Sequence, residues 1–404
     1  MKSFFGIFIC IFFFSLITFS QVTWQQTSYS SGVPVNKILA TGNGSLFIAT
    51  NGAGVLQSNN FGNTWTPANT GITDLMIKSI GYKNDSIFFA GAKNHVVYVS
   101  SDSTASWAPF DMNGTGTVIT SFCTMPNGDV YAGQAADGIF RTTDNGQSWQ
   151  EVGLCCAGVL SIAANSAGTI FAGTNAGGVY RSNNGTAWDD VNNGLGSLKI
   201  NALALNNSNV LFVGTDNGAY RSFDNGDNWT AVNYGITNLS ITDISIKPNG
   251  HIFVSTNGGG IFLSKDNGNI WESINTGLST LNINCLGMDS SGYVYAASSD
   301  TLLFRSEIPY SGLENHTTTE IYFRNYPNPF STSTTIEFEI HESAFCDLSI
   351  FDISGKKLQT LLSAEVTEGK YNYVWDASSL SPGVYFCEIK TNKEFSRIFM
   401  TFVK

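Results

Sequence analysis

Charge is scarce in this chain. Only 13% of its 404 residues are Asp, Glu, Lys or Arg, and the formal net charge is −11 with the basic residues scattered, which argues against nucleic acid or an anionic membrane surface as partner. Histidine is rarer, with 4 residues. Neither His95 nor His251 has a nucleophile nearby in sequence, and no CxxC or paired histidine supports a metal site. The 7 cysteines are too few to staple a fold of this length. No Gly-rich loop stands between a strand and a helix, so neither a nucleotide nor any other cofactor is implied.

Long apolar runs are also missing, with one exception. Lys2 precedes a Phe- and Ile-rich run from Phe4 to Phe19, and Thr18-Phe19-Ser20 places small residues at −3 and −1 of a cut before Gln21. Residues 1–20 therefore read as a signal peptide, leaving no transmembrane span after cleavage.

What the chain does have is a period. Trp24, Trp65, Trp107, Trp149, Trp188, Trp229 and Trp271 recur at intervals of 39 to 42 residues. Each interval carries strand patterns and turn signals: Ile200–Leu205, the strongly apolar Asn209–Gly214, Ala219–Ser222, then a hairpin ending on the tryptophan. The second strands, such as Leu46–Ala49 and Ile252–Val254, are continuously apolar because both blade faces pack on neighbours. The fold class is all-β, and residues 21–307 are expected to form a seven-bladed β-propeller. Residues 282–306 supply three strands without a final tryptophan, and Val22–Gln26 is expected to complete blade seven as its fourth strand.

The hairpins share a signature: Ser222, Asp224, Gly226, Trp229; Ser264, Asp266, Gly268, Trp271; Thr142, Asp144, Gly146, Trp149; Ser58, Asn60, Gly62, Trp65; Ser100, Asp102, Trp107; and Ser182, Asn184, Trp188, one residue short. The carboxylate or amide accepts backbone N–H groups, glycine supplies the positive φ, and the indole fills the space between strands. This resembles the Asp-box of sialidase-like (BNR) propellers. Sialidases of that kind use three arginines for a carboxylate, but Arg141, Arg181, Arg221 and Arg305 occupy one repeat position and cannot converge. No catalytic residue is assigned.

After a polar linker, 308–320, residues 321–404 form a second, immunoglobulin-like β-sandwich. Its landmarks are Tyr326-Pro327-Asn328-Pro329-Phe330, Phe351-Asp352 with Gly355-Lys356, and Pro382-Gly383. These resemble the type A C-terminal sorting domain of the type IX (Por) secretion system of Bacteroidetes. The resemblance implies the type IX machinery as partner and a secreted or cell-surface location. Cys346 and Cys387, in strand-like segments, either pair or stay buried thiols, and Cys155-Cys156 reads as two thiols in a loop.

The leading functional expectation is a binding module for an unidentified glycan or protein, and the alternative is a glycoside hydrolase using paired aspartates from Asp74, Asp111, Asp137, Asp216, Asp243 and Asp300. Ligand-binding candidates are Phe110 and Asp111, on an irregular loop from Ala108 to Thr115, with Tyr234 and His95. A second irregular loop spans Val152 to Ala157. The repeated inter-blade loops at Asn69, Asn193, Asn233 and Asn275 read as scaffold.

Overall fold

The computed structural model describes residues 22–112, 117–307, 323–340, 343–352, 356–391 and 395–403. The expected signal peptide, the 308–320 linker and Gly355 lie outside them. The chain divides into two compact units, Met1–Ser311 and Gly312–Lys404. No helix occurs among the described residues.

The first unit is a β-propeller of seven four-stranded antiparallel sheets. Blade 1 comprises Val35–Ala40, Leu46–Thr50, Val55–Ser58 and Thr66–Pro67, and the later blades follow the same order. First strands of successive blades neighbour one another around a closed ring and surround the axis. Second strands are buried along their length, as in Leu46–Thr50, Val130–Gln134 and Leu211–Thr215, which explains their unbroken apolar character.

Blade seven closes as the tryptophan spacing implied. Trp24–Gln26 pairs antiparallel with Leu303–Ser306, Trp24 opposite Ser306 and Gln26 opposite Phe304. The register is then locked to blade six: the Trp24 N–H donates to the Thr276 carbonyl at 2.9 Å. Gly277 sits so close to the Trp24 carbonyl that a Cβ there would lie 2.2 Å from it. Gly71, Gly194 and Gly235 meet Trp107, Trp229 and Trp271 in the same way, each at positive φ, so this repeated glycine is demanded twice, by conformation and by contact.

Neighbouring blades are tied at three radii. Innermost, a bulged residue of the first strand bonds the next blade's backbone: the Asn36 and Asn201 amides donate to Ile77 and Ile241, and the Thr242 hydroxyl to Ile283. Further out, the indoles of Trp24, Trp107, Trp188, Trp229 and Trp271 donate to Ile274, Ala68, Val152, Val191 and Val232 of the preceding blade. At the hairpins, arginines reach forward. Arg181 bonds Asn225 O and Asp227, Arg221 bonds Asn267 O and Asn269, and Arg305 bonds Phe61 O, joining blade seven to blade one.

The second unit is a sandwich of a three-stranded and a four-stranded sheet. Ser333–Ile340 alternates strictly between half-buried and buried residues, and Ile336, Phe338, Leu348, Ile350, Trp375 and Ile389 fill the core. Cys346 and Cys387 are buried free thiols. They do not pair, because Cys346 lies opposite Thr391 and Cys387 opposite Ile350. Four residues of offset is about 13 Å of strand, beyond the reach of a disulfide.

Candidate binding rim

The hairpins before the tryptophans are fully engaged in their own geometry. In each complete copy the serine or threonine Oγ donates to the Asp or Asn side chain and accepts the N–H four residues on, as at Ser222 with Asp224 and Gly226. The same carboxylate or amide oxygen accepts a second N–H at 2.9 Å, from Thr64, Ser106, Ser148, Asn228 or Ile270. Where glycine is replaced, Thr104 takes φ 73°. The hairpin of blade four is one residue short, with the Gly185 N–H rather than a fourth-residue N–H reaching the Ser182 hydroxyl, and Arg141 pairs with Asp129 of its own blade at 2.6 Å. All four arginines are thus engaged within or between blades, and they do not converge on one point.

The opposite rim carries the turns between second and third strands and the connections between blades. All four candidate residues belong to it, with one correction. Ala108–Asp111 is a strand, the fourth of blade two, with Phe110 opposite Val97 and Asp111 opposite Val96. Phe110 is half-buried and packs on the cluster of Phe89, Val97, Met112 and Ile119. The segment reads as irregular because it continues the ladder for four residues where most other blades stop after two. Phe110 is thus largely a packing residue. The second expected loop is likewise part strand: Gln150–Gly153 pairs within blade three, and Val152 is buried.

His95, at φ 54°, accepts the Met112 N–H on its carbonyl, so His95 and Asp111 are brought together at the rim end of blade two. Tyr234 stands apart, in the connection between blades five and six. Its side chain is 68% exposed and its carbonyl accepts the Trp271 N–H at 2.9 Å.

Of the candidate aspartates, four on the rim and Asp243, buried within the first strand of blade six, have partners of their own. Asp243 accepts Lys37 Nζ at 3.3 Å and the N–H groups of Ile244 and Leu286. Lys37 is correspondingly held above the usual lysine range by Asp243, against an opposing burial. Asp74 accepts the Met76 N–H, Asp137 the Thr117 hydroxyl, Asp216 the Ser197 hydroxyl and Asp300 the Thr280 hydroxyl. Among the described residues no cluster of His, Cys, Asp and Glu could hold a metal ion.

The most distinctive feature of this rim comes from the repeated connections. Gly71-Ile72-Thr73-Asp74-Leu75, Gly194-Leu195-Gly196-Ser197-Leu198, Gly235-Ile236-Thr237-Asn238-Leu239 and Gly277-Leu278-Ser279-Thr280-Leu281 each hold two aliphatic residues. The first packs inward, as Ile72 and Ile236 do at 8% exposure; the second, Leu75, Leu198, Leu239 or Leu281, is 38 to 45% exposed. The backbone explains the contrast. Each of these leucine carbonyls accepts N–H groups from the preceding blade's turn, Gly54 for Leu75, Gly178 for Leu198, Gly218 for Leu239 and Gly260 for Leu281. The residue is fixed just ahead of a fully buried isoleucine, and its side chain remains outside. Leu198, Leu239 and Leu281 mark three consecutive blades, and Leu75 lies two blades further round. Lys78, exposed at the start of the blade-two first strand, has no carboxylate partner among the described residues.

Comparison with known proteins bears on both units. Residues 324–401 match the secretion system C-terminal sorting domain, so the protein is handled by the type IX secretion machinery and reaches the cell surface or the extracellular space. Over 92% of its length the chain resembles PorZ, a surface component of the type IX secretion system of Porphyromonas gingivalis, with TM-score 0.55 and 16% identity, and it spans 59% of PorZ. It also resembles YCF48 bound to a D1 peptide, with TM-score 0.60, 15% identity and coverage of 72% of this chain and 96% of that one. Virginiamycin B lyase from Staphylococcus aureus matches with TM-score 0.61, 14% identity and coverage of 71% and 99%. At these identities the likeness concerns the fold alone. No curated protein sequence matches the chain closely enough to count as a relative.

Proposed function

We propose that the exported propeller is a binding module whose ligand is a polypeptide segment received on the leucine-bearing rim. The observation that carries this reading is the repeated exposure of Leu198, Leu239, Leu281 and Leu75 at equivalent positions around one mouth of the ring. Aliphatic side chains gain about 25 cal/mol per Å² on leaving water, and large apolar side chains left exposed at equivalent positions on successive blade connections offer that gain to a partner that spans them. Branched aliphatic groups present no flat face for a sugar ring and no hydrogen-bonding group for its hydroxyls, whereas they suit the side chains of a peptide. Tyr234 and Lys78 supply an aromatic edge and a cation beside them.

The peptide complex of the structurally similar YCF48 supports the reading by showing that such a scaffold accommodates one. The hairpins of the other end keep the Asp-box pattern and serve as blade connectors, so the sialidase-like scaffold is used without sialidase chemistry. The test is binding of the purified propeller to peptide and glycan arrays, with a Leu239→Asp, Leu281→Asp double variant beside it. Peptide signals lost in the variant are expected. Glycan signals that the variant retains would overturn the proposal.

A further inference from the structure

We propose that Cys155 and Cys156 are a vicinal dithiol that closes to a disulfide between adjacent residues once the protein has been exported. The two cysteines take the central positions of a turn that the Ala157 N–H closes onto the Leu154 carbonyl at 2.9 Å. Both are exposed, and their sulfurs stand 3.1 Å apart, about 1 Å beyond a covalent S–S bond. Cys156 has φ 67°, in the left-handed region that favours glycine. Most other connections between blades put glycine at positive φ, as Gly194, Gly235 and Gly277 do. A cysteine kept in such a conformation with its thiol in solvent is not explained by packing.

The pair also stands apart from the other cysteines. Cys285, Cys346 and Cys387 are buried, and burial pushes the Cys123 and Cys285 thiols up to about 12. Cys155 is held above the usual thiol range first by its hydrogen bond with Cys156 and the charge there, then by slight local desolvation and the Glu151 and Asp137 carboxylates.

The oxidant is a disulfide of a second, dithiol-type protein. The thiolate of one cysteine attacks that disulfide and displaces one of its sulfurs as a thiolate. The adjacent cysteine then attacks the mixed disulfide, forming the Cys155–Cys156 bond and releasing the other sulfur. Two protons and two electrons leave the turn, and the partner's disulfide becomes a dithiol. The closed ring replaces two weak donors with a small apolar edge on the connection between blades three and four, and fixes that turn.

Full-length protein from the extracellular fraction, alkylated in denaturant without reductant and then digested, tests the proposal. The peptide holding Cys155 and Cys156 should be unalkylated and lighter by two hydrogens, and doubly alkylated after reduction, while Cys285, Cys346 and Cys387 are alkylated in both samples. After mild reduction the native protein should bind phenylarsine oxide stoichiometrically. Cys155→Ser and Cys156→Gly should each abolish that binding, with the glycine variant melting no lower than the parent. Two alkylated cysteines before reduction, or a bond from either to another cysteine or a second copy, would overturn the inference, as would arsenical binding that survives both substitutions.

Discussion

The indole N–H of Trp24 donates to the Ile274 carbonyl, 250 residues away in sequence. Together with the ladder to Leu303–Ser306, that bond makes the N-terminal strand part of the last blade and ties the last blade to the sixth. Trp24 is 3% exposed and packs with Ile274, Leu286 and Phe304.

Trp24→Ala should therefore cost about 3–5 kcal/mol, the range for removing a large buried aromatic side chain. Deleting residues 22–26 should cost more, because the edge of Leu303–Ser306 then loses its partner. Chemical denaturation reads both. A deletion variant with the parent's midpoint would mean that the ring does not depend on this closure.

The ring was legible because its determinants are local and repeated. A tryptophan, a turn acid and a glycine at fixed spacing specify one hairpin, and the leftover strand at Val22–Gln26 had only one blade lacking a partner. The rim was harder to read. Leu239 and Ile241 look alike in sequence, two aliphatic residues at the entrance to a strand, yet one is 38% exposed and the other fully buried. The difference arises from the Gly218 N–H taking the Leu239 carbonyl, a contact with the preceding blade that no local pattern announces. Phe110 misled in the opposite direction. Its segment departs from the repeat, which reads as a site, and the departure is extra strand pairing with Val97.

That contrast gives a direct comparison of variants. Leu239→Asp and Leu281→Asp remove exposed side chains and should change stability by only about 0.5 kcal/mol each, while weakening peptide binding at least about tenfold, a loss of roughly 1.4 kcal/mol. Phe110→Ala should do the reverse, lowering stability by about 1–3 kcal/mol through its contacts with the Phe89 cluster. Thermal melts and titration of one array-identified peptide separate the two effects. Equal binding loss from all three with unchanged melting would return Phe110 to the site.

Acid sensitivity follows from the hairpins. Asp144 is pulled down to about 2, first by the Ser148 hydroxyl and then by the Ser148 N–H, with Thr142 adding to them. Asp102 is lowered by the equivalent Ser106 and Ser100 bonds. In Asp224 burial opposes, and the bonds from Asn228 and Ser222 prevail. A carboxylate depressed in the folded state stabilises it above the unfolded pKa of about 3.9 and loses that contribution as pH falls through the folded value. Melting temperature should hold between about pH 7 and pH 5, then fall between about pH 4 and pH 2. Asp144→Asn should make that fall shallower, because asparagine keeps the acceptor and does not titrate. A variant with the parent's full slope would assign acid loss to other groups.

The last prediction separates folding of the sorting domain from its recognition. Within Tyr326–Phe330 the two aromatic residues have opposite surroundings. Phe330 is 2% exposed, packed against Trp375 at 5.6 Å and Phe402 at 5.5 Å, and its backbone bonds Thr401 and Val403. Tyr326 is 74% exposed on the same segment. The segment between them is held from both sides, the Thr334 hydroxyl donating to the Pro327 carbonyl and the Thr401 N–H to the Asn328 side chain. Such anchoring presents Tyr326 in a fixed position, which is what a receptor needs and the core does not. Phe330→Ala should destabilise the domain by about 3–5 kcal/mol and reduce export by unfolding it. Tyr326→Ala should leave melting within about 0.5 kcal/mol of the parent, yet the propeller should accumulate in the periplasm, as it should when the chain is truncated before Ile321. Surface labelling and cell fractionation of the three variants decide the matter. Normal surface delivery by Tyr326→Ala would exclude the exposed ring from recognition, and normal delivery of the truncated propeller would remove residues 321–404 from export altogether.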